Sequence, residues 1–212
     1  LGQLAQNQPS LTTRLWGYPI TCKSQFKKLY NYNSLKQTME KIKANFISGK
    51  VSSNTSEAKN LFDVKRFGEK VNEKIVYSLP EAIFLVEQKK MELYDDKNKP
   101  LTQEEIIKKF QRLDKKINLK STVFTDLRKK GHIVKTALKF GAEFRVYEKG
   151  KKIDKSHSKW LVFPVSETEK LTWQDFSAKT RVAHSTKKNL LIAIVDEEES
   201  ISYYEIVWTK IR

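Results

Sequence analysis

At 212 residues the chain suits one large domain or two small ones, and either buries a real core. Its 41 Lys and Arg against 25 Asp and Glu give a formal net charge of +16, which favours a polyanionic partner through steering and counterion release. No long uncharged apolar run and no signal peptide are evident, and the single cysteine, Cys22, excludes an intrachain disulfide or a cysteine zinc site; a cytoplasmic (intracellular) setting without a membrane is expected.

A hydrophobic content of 39%, with eleven Phe, eight Tyr and four Trp, argues for a folded chain rather than a disordered tail. Leu1 to about Ser10 is Gln/Asn-rich and is expected to be poorly ordered. Apolar and aromatic positions from Ile20 to Tyr30 suit short strands. Ser34 reads as an N-cap with Gln37 at the capping-box position; Leu35, Met39, Ile42 and Phe46 recur at helical spacing, and Gly49 suits the C-cap. Val51 to Asn60 is Ser/Asn/Thr-rich and reads as a loop.

Ser78-Leu79-Pro80-Glu81 is a second helix start, with Leu79, Ile83 and Val86 as its apolar stripe. Met91 to Tyr94 alternates like a strand, and Asp95 to Pro100 is a polar turn. Thr102 with Glu105 forms a third capping box, opening a helix with Ile106, Phe110 and Leu113 on one face. The charged stretch Lys115 to Lys120 suggests a domain junction, dividing the chain into residues 1–117 and 118–212. Beyond it a short helix closes at Gly131. Strands are expected at Val134–Lys139, Glu143–Tyr147 and Trp160–Val165. Thr172 caps a helix through about Ser185 with Trp173, Phe176 and Ala183 inward, and strands follow at Leu190–Val195 and Ile201–Trp208. The fold class is therefore α+β, a small N-terminal α+β unit followed by a C-terminal α/β unit with a mixed central sheet flanked by helices. No period repeats, which excludes a solenoid.

Chemistry gathers in the second half. Tyr147 ends a strand in which Phe144 and Val146 alternate with Arg145 and Tyr147, so the arginine and tyrosine share a face. His157 opens the next strand and Lys188 precedes a third. A phenol, an imidazole and an ammonium can move protons and hold negative charge without a metal or other cofactor. Each also has a plain structural reading. A strand-end tyrosine usually packs, a loop histidine is usually idle, and Lys188 is one lysine among many. Spacing alone gives no reason to prefer His157 over His132 or His184.

A metal-dependent nuclease is the nearest rival, since Asp63-Val64-Lys65 and Asp114-Lys115-Lys116 fit a short acid-x-Lys pattern that arises easily in so charged a chain. No phosphate-binding Gly loop, nucleophile elbow or His metal cluster is present.

Taken together, Leu127-Arg128-x-x-Gly131, Lys139-Phe140-Gly141-x-x-Phe144-x-x-Tyr147, His157-Ser158 and Arg181-x-Ala183-x-Ser185-x-x-Lys188 resemble the archaeal-type tRNA-splicing (tRNA-intron) endonuclease. The likeness is dense from Phe124 to Trp208 and looser upstream, where Ser78-Leu79-x-Glu81-Ala82 and the Met91-to-Phe110 strand-turn-helix order carry it. The resemblance implies cleavage of precursor tRNA at a bulge–helix–bulge, leaving 2′,3′-cyclic phosphate and 5′-hydroxyl ends. The attacking group would be the substrate's own 2′-hydroxyl. Tyr147 would act as general base or position that hydroxyl, His157 would protonate the leaving 5′-oxygen, and Lys188 would stabilise the phosphorane-like state. A phenol with an ordinary pKa of about 10 is mostly protonated at neutral pH, so a neighbouring cation, Lys188 or Arg145, would have to assist it.

The resemblance further implies that Arg181 clamps a bulge base, with Lys210 or Arg212 as the second cation; Arg145 and Lys187 are further candidate RNA contacts. The run Asp196-Glu197-Glu198-Glu199 suffices as a charged hairpin turn, and the resemblance makes it, with Tyr203 and Tyr204 on the next strand, a contact between subunits. The implied assembly is a homotetramer or heterotetramer of identical or paralogous chains. A non-catalytic RNA-binding or scaffold subunit is the alternative; its mark is loss of the trio, and this chain keeps all three.

Overall fold

The computed structural model describes residues 40–211 apart from 152, 154 and 155. The expectations for Leu1–Ser10, Ile20–Tyr30, Ser34, Leu35, Met39 and Arg212 lie outside those residues. Everything described below belongs to one unit, Met39–Arg212.

The first structural segment corrects the sequence reading. Ile42–Ile47 is a strand, β1, not the end of a helix. It joins β2 (Lys50–Ser53) through Ser48-Gly49, with Ile47 opposite Lys50 and both turn residues at positive φ (50° and 77°). Two left-handed residues make the tight turn whose twist suits a hairpin. Ile42 and Phe46 are four apart, a separation that satisfies period 2 as well as period 3.6. The buried Ala44 between them decides for the strand.

Val51–Asn60 is likewise not a loop: β2 is followed by α1 (Ser56–Lys65). Its Thr55 caps the helix and its Ser53 ties the strands. Thr55 accepts from the Ala58 N–H at 3.3 Å, and Ser53 donates its hydroxyl to the Lys43 carbonyl at 2.6 Å. β3 (Glu69–Val71) and β4 (Lys74–Tyr77) follow, then α2 (Leu79–Glu87), β5 (Met91–Tyr94) and α3 (Gln103–Leu113). These strands form a five-stranded sheet in the order β3-β4-β2-β1-β5, with only β1 and β5 parallel among its pairs.

The Thr102–Glu105 capping box closes as expected, with reciprocal bonds of 2.9 and 3.3 Å. Ile106 and Phe110 of α3 are buried, whereas Leu113 is exposed. α2 buries every residue from Pro80 to Leu85 rather than one stripe, as befits a helix enclosed by its neighbours.

α4 (Ile117–Lys129) leads into the second sheet, built from β6 (Ile133–Ala137), β7 (Ala142–Tyr147), β8 (Trp160–Ser166), β9 (Asn189–Val195) and β10 (Ile201–Ile206) in the order β10-β9-β8-β7-β6. Only β8 and β9 pair in parallel, with α5 (Trp173–Ser185) as the crossover.

Both faces of this sheet are covered. Phe144, Val162 and Leu191 pair across one face and join the core that contains Phe124 and Leu127 of α4. Leu161, Leu190 and Ile192 lie on the other, with Ala183 of α5. The molecule is α+β, and its second half is a mixed sheet between helices.

Two boundaries move, and one side chain turns outward. β6 stops at Ala137 because Leu138–Phe140 turns as a 3-10 helix into Gly141 at φ 64°. β10 stops at Ile206, which pairs with Leu190 next to the start of β9, so little ladder remains beyond it. Trp173 is not inward. It is 85% exposed and meets Phe176 edge-on, beside an apolar groove that Ile192, Ile194, Tyr204 and Ile206 also line.

Candidate active site

Two backbone ties define one end of the second sheet. The Lys159 N–H donates to the Val146 carbonyl at 2.9 Å, and the Asn189 N–H donates to the Lys159 carbonyl at 2.9 Å. In the ladders, Val146 stands opposite Trp160, and Trp160 opposite Asn189. Tyr147 directly follows Val146, His157 comes two residues before Lys159, and Lys188 directly precedes Asn189. Adjacent strands lie about 4.8 Å apart, so the chain positions of the tyrosine and lysine sit roughly two strand spacings from each other.

Tyr147 is buried, with 6% of its surface exposed, and therefore packs more tightly than an open cleft would require. Its carbonyl is held by His132 Nδ1 at 3.0 Å, and the His132 ring meets Trp160 edge-on. His132 is thus a strand-end support, while His184 packs against Trp208 with ring centroids 4.4 Å apart and planes tilted by 45°. His157 is exposed, in the segment entering β8.

Lys188 owes its position to the end of α5. Its N–H donates to the Ala183 carbonyl, and that of Lys187 to the His184 carbonyl, both at 2.9 Å. With Lys187 in the left-handed region at φ 55°, this is a Schellman closure with lysine where glycine is usual. The Lys188 ammonium donates to the Thr186 carbonyl at 2.8 Å and lies 5.3 Å from the centre of the Phe140 ring. Burial first, and the positive charge of Arg145 second, hold its pKa below the ordinary lysine value. Arg145 shares the Tyr147 face, opposite Leu161, and its Nη2 lies 3.6 Å from Glu69 of β3.

The other candidates are dispersed. Arg181 is exposed on α5 and reaches Ser177 at 3.2 Å. Lys187 and Lys210 are exposed. Asp196 shapes the β9–β10 turn by accepting from the Glu198 and Ser200 N–H groups at 2.9 and 2.8 Å, leaving Glu197, Glu198 and Glu199 exposed. Tyr203 is committed within the chain, donating to Asp126 at 2.6 Å, while Tyr204 is exposed. Of the acid-x-Lys segments, Asp63 lies within α1 and Asp114 pairs with Lys120 at 2.6 Å.

Sequence reasoning missed a buried polar cluster beside the candidate site. Glu81, read only as a capping residue, is 4% exposed. It accepts from the Ser78 N–H at 3.4 Å and from the Gly68 N–H at 2.7 Å. Burial pushes its pKa up, against the pull of Lys135, the Gly68 N–H and Arg128. Lys135, itself buried, donates to the Gly68 carbonyl. Arg128 donates to the Lys65 carbonyl at 3.0 Å and lies over the Phe67 ring at 3.7 Å. Lys135 stands directly opposite Arg145, a register that no local pattern in the sequence reveals. A cavity of about 340 Å³ lies here, lined by Lys50, Glu69, Tyr77, Glu81 and Lys135 among others; Tyr147, His157 and Lys188 do not line it. An open sheet end suits a macromolecular polyanion better than a pocket of this size.

Among the described residues no helix is long and apolar enough to cross a membrane. Residues 117–203 match the family described as tRNA intron endonuclease, catalytic C-terminal domain, and residues 42–107 match tRNA intron endonuclease, N-terminal domain. The chain is similar to a tRNA-splicing endonuclease of Pyrococcus abyssi, 42% identical over 81% of this chain and 99% of that protein. One of Thermococcus kodakarensis is 42% identical over 78% of this chain and 97% of that protein. One of Nanoarchaeum equitans is 41% identical over 62% of this chain and 88% of that protein. With both halves matched in order and identity sustained over most of its length, the chain belongs to the tRNA intron endonuclease family.

Proposed function

We propose that this chain is a catalytic subunit that cuts precursor tRNA at bulge–helix–bulge splice sites by metal-independent transesterification, with 1–117 and 118–212 as its two domains. The substrate's 2′-oxygen attacks the adjacent phosphorus, the P–O5′ bond breaks, and the departing 5′-oxygen takes a proton. Tyr147 positions the 2′-hydroxyl and accepts its proton, His157 supplies the proton to the 5′-oxygen, and Lys188 stabilises the charge that builds on the phosphoryl oxygens. The nucleophile is part of the RNA, so the protein's task is alignment and electrostatics.

The observation that carries this reading is the pair of 2.9 Å backbone bonds linking Val146, Lys159 and Asn189, because each proposed group lies within two residues of one of them. Arg181 takes an unpaired base on its guanidinium plane, with Lys210 or Arg212 as the second cation, and Arg145 and Lys187 contact phosphates. The acidic turn Asp196, Glu197, Glu198 and Glu199, with Tyr203 and Tyr204, contributes to contacts in a tetramer of identical or paralogous subunits.

The test is cleavage of an intron-containing precursor tRNA by the purified assembly with EDTA present. Two cuts with cyclic phosphate ends support the reading. Binding without cleavage favours a scaffold subunit, and activity lost to EDTA and restored by a divalent metal overturns the mechanism.

A further inference from the structure

Arg145 is bound on only part of its guanidinium. Nη2 faces Glu69 at 3.6 Å, beyond hydrogen-bond reach, and both side chains are partly exposed (35% and 53%). Nε is enclosed without an acceptor among the described residues, so the present pose leaves a donor unmet. Lys135, directly opposite in β6, is already engaged with the Gly68 carbonyl. Lys188 is close enough to feel the charge of Arg145, and the Lys188 ammonium is bonded to a neutral carbonyl, not to a carboxylate. Two cations therefore share the Tyr147 side of the sheet, and the acid paired with one of them comes from the edge strand of the other sheet. A loose pair on a partly exposed guanidinium is the state that a phosphate improves, since a phosphate accepts two short charge-assisted bonds from one guanidinium.

We propose that Arg145 binds the RNA phosphate neighbouring the scissile one, and that Glu69 is an internal stand-in which this phosphate displaces. The inference rests on the reading of Lys188 as the cation at the scissile phosphate and deepens it by bringing the N-terminal half into the substrate site. Glu69 keeps the guanidinium near its working position in the free protein, and its release accompanies binding. Exchanging one partly exposed ion pair for a tighter one makes the competition modest.

The test is a double-mutant cycle on affinity for intact precursor tRNA over a salt series, using the full chain in its assembly. Glu69→Gln is expected to tighten binding by about two- to fivefold. Arg145→Gln is expected to weaken binding and reduce the salt slope by about one. In the Arg145→Gln background Glu69→Gln is expected to change nothing. Should Arg145→Gln fold poorly, Arg145→Lys keeps the charge, and with it the salt slope and the coupling to Glu69, while affinity falls.

Three results overturn the proposal: Glu69→Gln weakens binding, its gain persists without Arg145, or the exposed control Glu73→Gln gives the same gain. Lys188→Ala cleavage separates the two layers. Wild-type cleavage by that variant overturns the catalytic reading, whereas lost cleavage with an uncoupled cycle overturns only the role given to Arg145 and Glu69.

Discussion

The backbone N–H of Lys188 donates to the carbonyl of Ala183 at 2.9 Å, five residues back, and so ties the lysine to the last turn of α5 rather than to its own strand. The bond requires Lys187 to adopt φ 55°, a left-handed conformation that costs a lysine about 1 kcal/mol or more. Lys187→Gly is therefore expected to raise stability by up to about 1 kcal/mol, or about 2–4 °C in melting temperature for a chain of this size. Lys187→Val, branched at Cβ, is expected to lower it. Thermal melts of the two variants check this, and a glycine variant that melts lower contradicts it.

Removing only the phenolic oxygen, by Tyr147→Phe, keeps the buried ring and leaves precursor tRNA affinity unchanged. Cleavage under single-turnover conditions is expected to fall by about 10²–10⁴-fold, the range for a positioned acid or base. His157→Ala, at an exposed position, is expected to lose a comparable factor with no change in melting temperature. Wild-type cleavage by either variant removes that residue from the mechanism.

How much of this was legible in the sequence depended on distance along the chain. The Thr102–Glu105 box and the strand Met91–Tyr94 could be read because their determinants are local. Ile42 and Phe46 mislead because a spacing of four serves helix and strand alike, and Gly49 suits a helix end as well as the Ser48-Gly49 hairpin turn. Trp173 could not be oriented, since which side of a first turn meets the core is set by strands elsewhere.

For the site, Tyr147, His157 and Lys188 stood out through motif likeness alone. What brings their segments to one sheet end is the β7-β8-β9 pairing, which no local pattern encodes. The Glu81, Lys135 and Gly68 cluster spans 67 residues between its lysine and the Gly68 carbonyl, and it was invisible for the same reason.

That cluster gives stability a pH dependence with a definite sign. The Glu81 pKa is raised above its ordinary 4.5, so its contribution is full below about pH 4.5 and is lost as pH rises through the folded value. Glu81→Gln cannot ionise and should therefore gain on the wild type as pH rises from 4.5. Parallel thermal melts between pH 4 and 7 read the difference. A gap between the two proteins that stays constant contradicts the raised pKa; a wild type that gains on the variant as pH rises shows that Lys135 and Arg128 outweigh burial.

The most direct measurement of the central claim is the chemistry of the cut ends made by the wild type and by Lys188→Ala on an intron-containing precursor tRNA in EDTA. The account predicts 2′,3′-cyclic phosphate and 5′-hydroxyl ends from the wild type, and cleavage reduced by about 10²-fold or more in the variant with RNA still bound. Ends bearing 3′-hydroxyl and 5′-phosphate, or full activity without the Lys188 ammonium, would contradict it.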